Sequence, residues 1–505
     1  MTSSRPLEID GRSLALSDVR TVAVGRHPVA LAGAARARML ATRAVVVGIV
    51  ERHAVVYGVT TGFGKLSDIA IPHDKLAQLQ VNLVRSHAAG VGPELPEREV
   101  RAMMLLRANV MAKGFSGARP DLPELICAML NAGLWPVVRE QGSVGASGDL
   151  APLAALALTL IGEEELNTAD GRRLPAADAL KAAGLCPVTL APKEGITLIN
   201  GTQAHTAVAA LAVADARALW ETAHTAGAMT LEALLGTPVA FDARIHEARG
   251  QDGEVASAAR LRALLADSRL RDSHRDNDPR VQDAYALRCM PQVHGPVLDA
   301  IRFAEGIIER ELNAATDNPL VFDNGEMLSG GNFHGQAVAM ALDFLAIVMT
   351  NLATIAERRI DRLVHPDLNE GLPPFLTTTA GLSSGFMMAQ VTAAALASEC
   401  KVLSHPASVD TIPTDGSKED VVPMAMGAAW KLRRIIGNVQ NILAIELMCG
   451  AQGLDCRRPL TSSAAVEQAH ATVRRHVAPL GEDRALTPDI LALAAAVSRG
   501  EFVLS

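Results

Sequence analysis

Apolar positions in the second half of the chain fall into long stripes. Val297, Ile301, Ala304, Ile308 and Leu312 recur at spacings of three and four, and Leu342, Leu345, Met349, Leu352 and Ala356 repeat the pattern. Each stripe predicts a long helix with one apolar face. A third apolar stretch, from about Met424 to Leu454, predicts another. Seams of this kind predict core and subunit-contact faces, in a helical bundle that associates with copies of itself. Earlier in the chain, Leu76, Leu79 and Leu83 mark a helix over 76–87, and an Ala/Arg-rich helix runs to about Arg52. Thr197 to Gln203 opens a long Ala-rich helix. Residues 7–9 and 14–16 predict short extended or mixed pieces, and residues 166–196 a surface hairpin and loop. The expected fold is mainly α, divided into an N-terminal part over 1–196 and a long helical bundle with C-terminal helices over 197–505.

Composition sharpens this picture. Aromatic residues make up only 3% of the 505 residues, against 49% hydrophobic overall, and an Ala/Leu-rich, aromatic-poor chain favours helix over strand. There are just 2 tyrosines, Tyr57 and Tyr285, so neither is one of many surface residues. The net charge of −8, with no Lys/Arg-rich block, argues against a nucleic-acid partner, which would need a basic face. The first residues, Met-Thr-Ser-Ser-Arg-Pro-Leu-Glu, have no apolar signal core, and the apolar run 151–161 is too short to cross a membrane. The 6 cysteines have no CxxC spacing and mostly apolar surroundings, which predicts buried free thiols in a reducing compartment. The expectation is a soluble cytoplasmic protein. His294, His334 and His405 lack metal-ligand spacing, so no metal site is expected and all three are assigned structural roles.

The stretch with the most chemistry is Gly142-Ser-Val-Gly-Ala146-Ser147-Gly148-Asp149-Leu-Ala-Pro-Leu153. Gly148 has no side chain, so its amide nitrogen can approach the Ala146 carbonyl carbon closely. Attack there closes a five-membered ring. Loss of water from that ring and from the Ser147 side chain leaves an exocyclic methylene on an electron-poor imidazolone. Asp149, Leu150 and Pro152 predict a helix first turn, whose partial positive charge would strengthen the electrophile. Read alone, Ala-Ser-Gly is far more often an ordinary Gly/Ser loop capping a helix. A second glycine-rich stretch, Tyr57-Gly-Val-Thr-Thr-Gly-Phe-Gly-Lys65, fails as a P-loop because Lys65 is followed by Leu66. It offers a tyrosine on a backbone with several permissive joints, suited to a mobile lid. Tyr285 and Arg288 lie three apart and would share a helix face, and an arginine fork suits an α-carboxylate.

The extended Gly142–153 string resembles the signature of the aromatic amino acid ammonia-lyases, and the likeness recurs in blocks from about Tyr57 to about Met424. These enzymes build a 4-methylidene-imidazol-5-one (MIO) from their own Ala-Ser-Gly. The resemblance implies the ammonia-lyase/fumarase-like type of long-helix core, an MIO formed from Ala146, Ser147 and Gly148, and no external cofactor. It implies Tyr57 as the base that takes the substrate's β-proton, with Tyr285 and Asn200 stabilising the MIO and developing charge. Arg288 would clamp the carboxylate, with Gln282, Asn332 and Phe333 around the substrate. The Ser86-His87 pair and Glu419 are similar to the histidine-specific branch and would face the substrate ring, implying elimination of ammonia from L-histidine to give trans-urocanate. Lys418, Val421, Pro423 and Ala155 depart from that branch's usual residues. The alternatives are a tyrosine or phenylalanine ammonia-lyase, an MIO aminomutase, or an inactive helical scaffold. A serine hydrolase fits poorly, since neither Ser143 nor Ser147 stands in GxSxG. The family further implies a homotetramer with shared active sites.

Overall fold

The computed structural model describes residues 5–276 and 278–504. Two compact units share the chain. The first takes the chain up to Leu211 together with Ala304–Asp343 and Pro406–Trp430. The second takes Ala212–Phe303, Phe344–His405 and the chain from Lys431 onward. The four longest helices are Gln203–Ala233, Met290–Leu312, Gln336–Val364 and Ala425–Cys456. The last three contain the three predicted apolar stripes, and every residue of the first two stripes is buried. The architecture is mainly α, as the periodicity predicts. Gln336–Val364 is long and apolar enough to cross a membrane, but 72% of its apolar window is buried inside the protein, as in a core helix.

In the first unit, Leu7–Ile9 pairs in parallel with Val29–Leu31, and the helix Leu16–Ala23 lies between them in sequence. Residues 14–16 are therefore not extended throughout. Leu16 opens a helix because Asp18 reaches back to the Ala15 N–H at 2.9 Å, satisfying one of the donors that a helix start leaves free. The helices Gly33–Glu51 and Leu76–His87 stand where the sequence predicts them. Glu165–Thr168 and Arg173–Pro175 form the expected hairpin, joined by Leu134–Pro136 into a three-stranded sheet. The Ala-rich helix does not open at Thr197. Instead Glu194–Ile199 is a separate short helix, and Asn200, Gly201 and Thr202 break the run before Gln203. Gly201, at φ +142°, takes a backbone conformation that a helix cannot hold. The thiol expectation also needs correction: Cys127, Cys400 and Cys449 are buried, but Cys186 and Cys456 are exposed.

The second unit encloses a polar knot in its apolar interior. The fully buried Arg359 and Glu446 make a two-pronged ion pair at 2.5 and 2.9 Å, and Thr230 donates to the same carboxylate at 3.0 Å. His224 donates from Nδ1 to the Trp220 carbonyl at 2.7 Å, so its Nε2 accepts from the Ser257 hydroxyl at 2.7 Å. His294, one of the residues assigned a structural role, stacks edge-on with His224 at 4.6 Å between ring centres. Burial pushes the His224 imidazole down to about 3, with Arg260 and Arg359 adding to the effect, and burial pushes His294 down as well.

A histidine held neutral in the fold and free to protonate near its ordinary value of about 6.5 when unfolded sets the sign of a pH dependence. Below that value the unfolded chain binds the extra protons, so stability falls as pH drops from about 6.5 toward 3. His224→Gln removes one of the two groups. Unfolding midpoints measured from pH 7 to pH 4 should then fall less steeply than in the parent; an unchanged slope would show that His224 carries none of it.

Candidate active site

The Ala146-Ser147-Gly148 segment is shaped by one close approach between backbones. Gly148, at φ +74°, forms a parallel bridge with Gly201, and the Asp149 N–H donates to the Gly201 carbonyl at 2.8 Å. A Cβ on Gly148 would overlap the Gly201 nitrogen and carbonyl. The broken turn at Asn200 and Gly201 is thus the floor of the Ser147 loop. Asn200 is almost fully buried, and its Nδ2 donates to the Ser147 carbonyl at 2.9 Å. Its Oδ1 is buried with no partner among the described residues.

Asp149 does not sit in the first turn of the following helix, as the sequence predicts. That helix begins at Ala151, after Leu150 at φ +40°. The buried Asp149 carboxylate instead accepts the Ala204 and His205 N–H groups at 2.7 and 3.1 Å, capping the long helix that starts at Gln203. It also accepts from the Ser143 hydroxyl at 3.0 Å and meets His205 Nδ1 at 2.7 Å. The reason is physical: a buried carboxylate needs several donors, and the free N–H groups of a neighbouring helix start supply them.

Ser147 Oγ donates to Glu419 Oε1 in a very short hydrogen bond, and Thr414 Oγ1 donates to the other oxygen at 2.5 Å. Two cavities adjoin this point, both walled by the first unit. One, of about 970 Å³, is lined by Tyr57, Ala146, Ser147, Phe333, Lys418 and Glu419 among others. The other, of about 710 Å³, brings together Tyr57, His87, Ser147, Asn200 and Glu419. His87 ends its helix with Nδ1 bonded to the Leu83 carbonyl at 2.8 Å. A carbonyl only accepts, so Nδ1 carries a proton, and in the neutral imidazole Nε2 is the acceptor. The Tyr57 phenol is pushed above its usual value by burial first and then by the Asp415 and Glu419 carboxylates, partly offset by a backbone bond from Gly64. An ionised phenol would need positive charge or hydrogen-bond donors beside it; the nearest charges acting on Tyr57 are these two carboxylates, while Lys418 lines the same larger cavity.

Other expected residues are placed differently. Asn332 lines neither cavity; its Nδ2 donates to the Ala315 carbonyl at 3.1 Å. Tyr285, Arg288 and Gln282 belong to the second unit and line neither cavity. Tyr285–Arg288 is a single helical turn, with the Arg288 guanidinium 4.7 Å from the centre of the Tyr285 ring, so the two do share a face. Tyr285 is 70% exposed. Arg288 and Gln282 line a separate recess of about 370 Å³. His334, assigned a structural role from the sequence, lines the larger cavity with Nε2 3.0 Å from the Val421 carbonyl. Asp415 was missed from the sequence: it accepts the Lys65 N–H at 3.1 Å and ties the Tyr57 loop to the Glu419 segment. The only sequence signal for it was the dense charge of residues 415–420.

An aromatic amino acid lyase family model matches residues 14–475. The chain belongs to the aromatic amino acid lyase family. It is 53% identical to the histidine ammonia-lyase of Koribacter versatilis (strain Ellin345) over 98% of both chains. With the histidine ammonia-lyase of Anaeromyxobacter sp. (strain K) the identity is 56%, over 98% of this chain and 99% of that one. Among solved structures, histidine ammonia-lyase from Trypanosoma cruzi superposes with a TM-score of 0.91 at 42% identity, covering 99% of this chain and 94% of that one. Tyrosine aminomutase from Streptomyces globisporus does so with a TM-score of 0.94 at 39% identity, covering 99% and 98%. As a member of this family the protein is a carbon–nitrogen lyase.

The residues at the Ser147 loop fit the family's prosthetic group. Gly148 is bare and bent, Ala146 is buried at 3% exposure, the Ser147 carbonyl is already held by Asn200, and the Asn200 Oδ1 is free. Gly148→Ala would drive a methyl group into Gly201 and hold a left-handed φ, costing about 2–5 kcal/mol. A drop in the thermal midpoint checks the contact; a Gly148→Ala protein as stable as its parent would refute it.

Proposed function

We propose that the protein eliminates ammonia from L-histidine to give trans-urocanate, using an MIO formed from Ala146, Ser147 and Gly148. The observation that carries this reading is the convergence of Tyr57, His87, Ser147, Asn200 and Glu419 on one cavity. The histidine ammonia-lyases named above, more than half identical along nearly the whole chain, support it. The chemistry the MIO supplies is an electrophilic carbon, which no ordinary side chain offers and which makes the amine a workable leaving group.

The chain's own residues do the rest. Asn200 Nδ2, at the Ser147 carbonyl, stabilises negative charge that develops on that oxygen. Tyr57 takes the β-proton, a proton so weakly acidic that its base must be held close and aligned. His87 presents the Nε2 lone pair to the N–H of the substrate imidazole. Glu419 is at present occupied by the Ser147 hydroxyl. Dehydration of Ser147 removes that hydroxyl and frees the carboxylate oxygen for the substrate ring. Phe333 forms an apolar wall of the larger cavity, and Asn332 stands beside it in the chain.

Tyr285, Arg288 and Gln282 are assigned to the site of a neighbouring copy in a homotetramer. The exposure of Tyr285 supports this, as do the carboxylates beside Tyr57, whose effect a further cation would offset. Arg288 would then clamp the substrate carboxylate through two parallel hydrogen bonds. All 6 cysteines are unpaired, which suits a reducing cytoplasm.

Ultraviolet absorbance tests the reading, because elimination creates a conjugated acrylate. The protein incubated separately with L-histidine, L-tyrosine and L-phenylalanine should give a rise with histidine alone, and its intact mass should be lower by two waters. A rise with tyrosine or phenylalanine instead would overturn the specificity assigned to His87 and Glu419. Tyr57→Phe should lower kcat by about 10²–10⁴-fold while the two-water mass loss persists. Full activity in that variant would remove Tyr57 from its role.

A further inference from the structure

Beneath the Asn200 turn lies an arginine that the proposed chemistry leaves without a part. Arg107 sits on the helix Glu97–Ala112, every residue of which from Glu99 onward is buried. Its guanidinium is fully buried, and Nη1 donates to the Asn200 carbonyl at 2.8 Å and to Gln203 Oε1 at 2.6 Å. Gln203 is fixed in turn, its Nε2 donating to the Thr316 hydroxyl at 2.7 Å.

Burying a guanidinium is costly, so the position of its partners is informative. The two carboxylates that act on Arg107 at longer range are Asp317 and Asp149. Both are engaged by other donors: Asp317 by Lys193, Thr197 and the Asn318 N–H, and Asp149 by Ser143, His205 and the start of the long helix. The direct bonds of Arg107 go instead to neutral oxygens, one of them a main-chain carbonyl in the non-helical break. Gly201 lies between this cluster and the loop above it. A Cβ there would overlap Arg107 and Gln203 on one side, and Gly148 meets the same residue's backbone on the other.

We propose that Arg107 is a positioning residue for the Ser147 loop. By clamping the Asn200 carbonyl and the Gln203 side chain, it holds the Asn200–Gly201 turn where the Asn200 amide reaches the Ser147 carbonyl and Gly201 seats Gly148. A main-chain break between two helices has no ladder of its own to fix it, and one cation bridging its two ends supplies that rigidity. Misplacing such a turn by a fraction of an ångström acts on the charge-stabilising amide and leaves the ring-reading residues untouched. The inference rests on the lyase reading above and deepens it.

The experiment compares the parent protein with Arg107→Lys, Arg107→Met and Thr316→Val. Intact mass, and kcat and KM with L-histidine per mature site, are read on each assembled protein. Arg107→Met should lose about 10²-fold in kcat with KM near the parent value. Arg107→Lys should recover part of the loss, because an ammonium can still donate to the Asn200 carbonyl. Thr316→Val, which frees Gln203, should show a smaller loss in the same direction. A folded Arg107→Met within twofold of the parent, or an Arg107→Lys no better than Arg107→Met, overturns the proposal. If Arg107→Met does not fold, parent-like kcat in both Arg107→Lys and Thr316→Val overturns it. Failure of the lyase reading is seen separately, in a parent protein that neither loses two waters nor acts on histidine.

Discussion

The contact between Gly148 and Gly201 is the constraint on which the rest of the site depends. Two backbones meet with no side chain between them, and each neighbour of that contact has a function. Asn200, before Gly201, aims its amide at the Ser147 carbonyl. Asp149, after Gly148, anchors the start of the longest helix in that region through Ala204 and His205. The loop is therefore locked to a helix terminus on one side and to a helix break on the other. Such double anchoring turns a glycine-rich segment, which would otherwise be mobile, into a preorganised one. On the proposed reading this preorganisation serves ring closure, which needs nitrogen and carbonyl carbon already held close.

Much of this was legible in the sequence. The helices Leu76–His87, Met290–Leu312 and Gln336–Val364 follow from apolar spacing, since burial of one face is what stabilises a long helix in a folded chain. The face shared by Tyr285 and Arg288 follows from helical geometry. What escaped were features set by partners distant in the chain. Nothing near Asp149 indicates that its donors lie some fifty-five residues away at Ala204 and His205. The break at Asn200 was hidden because Thr197 to Gln203 has acceptable helix composition on either side of a single glycine. Asp415 and Arg107 were missed for the same reason: each acts on the backbone of a segment that only folding brings near.

The electrostatics of Tyr57 carry the argument beyond one chain. A phenol with an ordinary pKa of about 10 is ionised in roughly one molecule in a thousand at neutral pH, and burial with two carboxylates beside it lowers that fraction further. On the proposed reading Tyr57 is the base, and positive charge or hydrogen-bond donors must outweigh those carboxylates for it to ionise. Arg288 stands next to an exposed tyrosine on a helical turn that lines neither cavity of the first unit. On the proposed reading, the association of copies is therefore part of the chemistry. On that reading Glu419, which would recognise the substrate ring, also restrains the base, and Arg288 from a neighbouring copy would add the cation that offsets it.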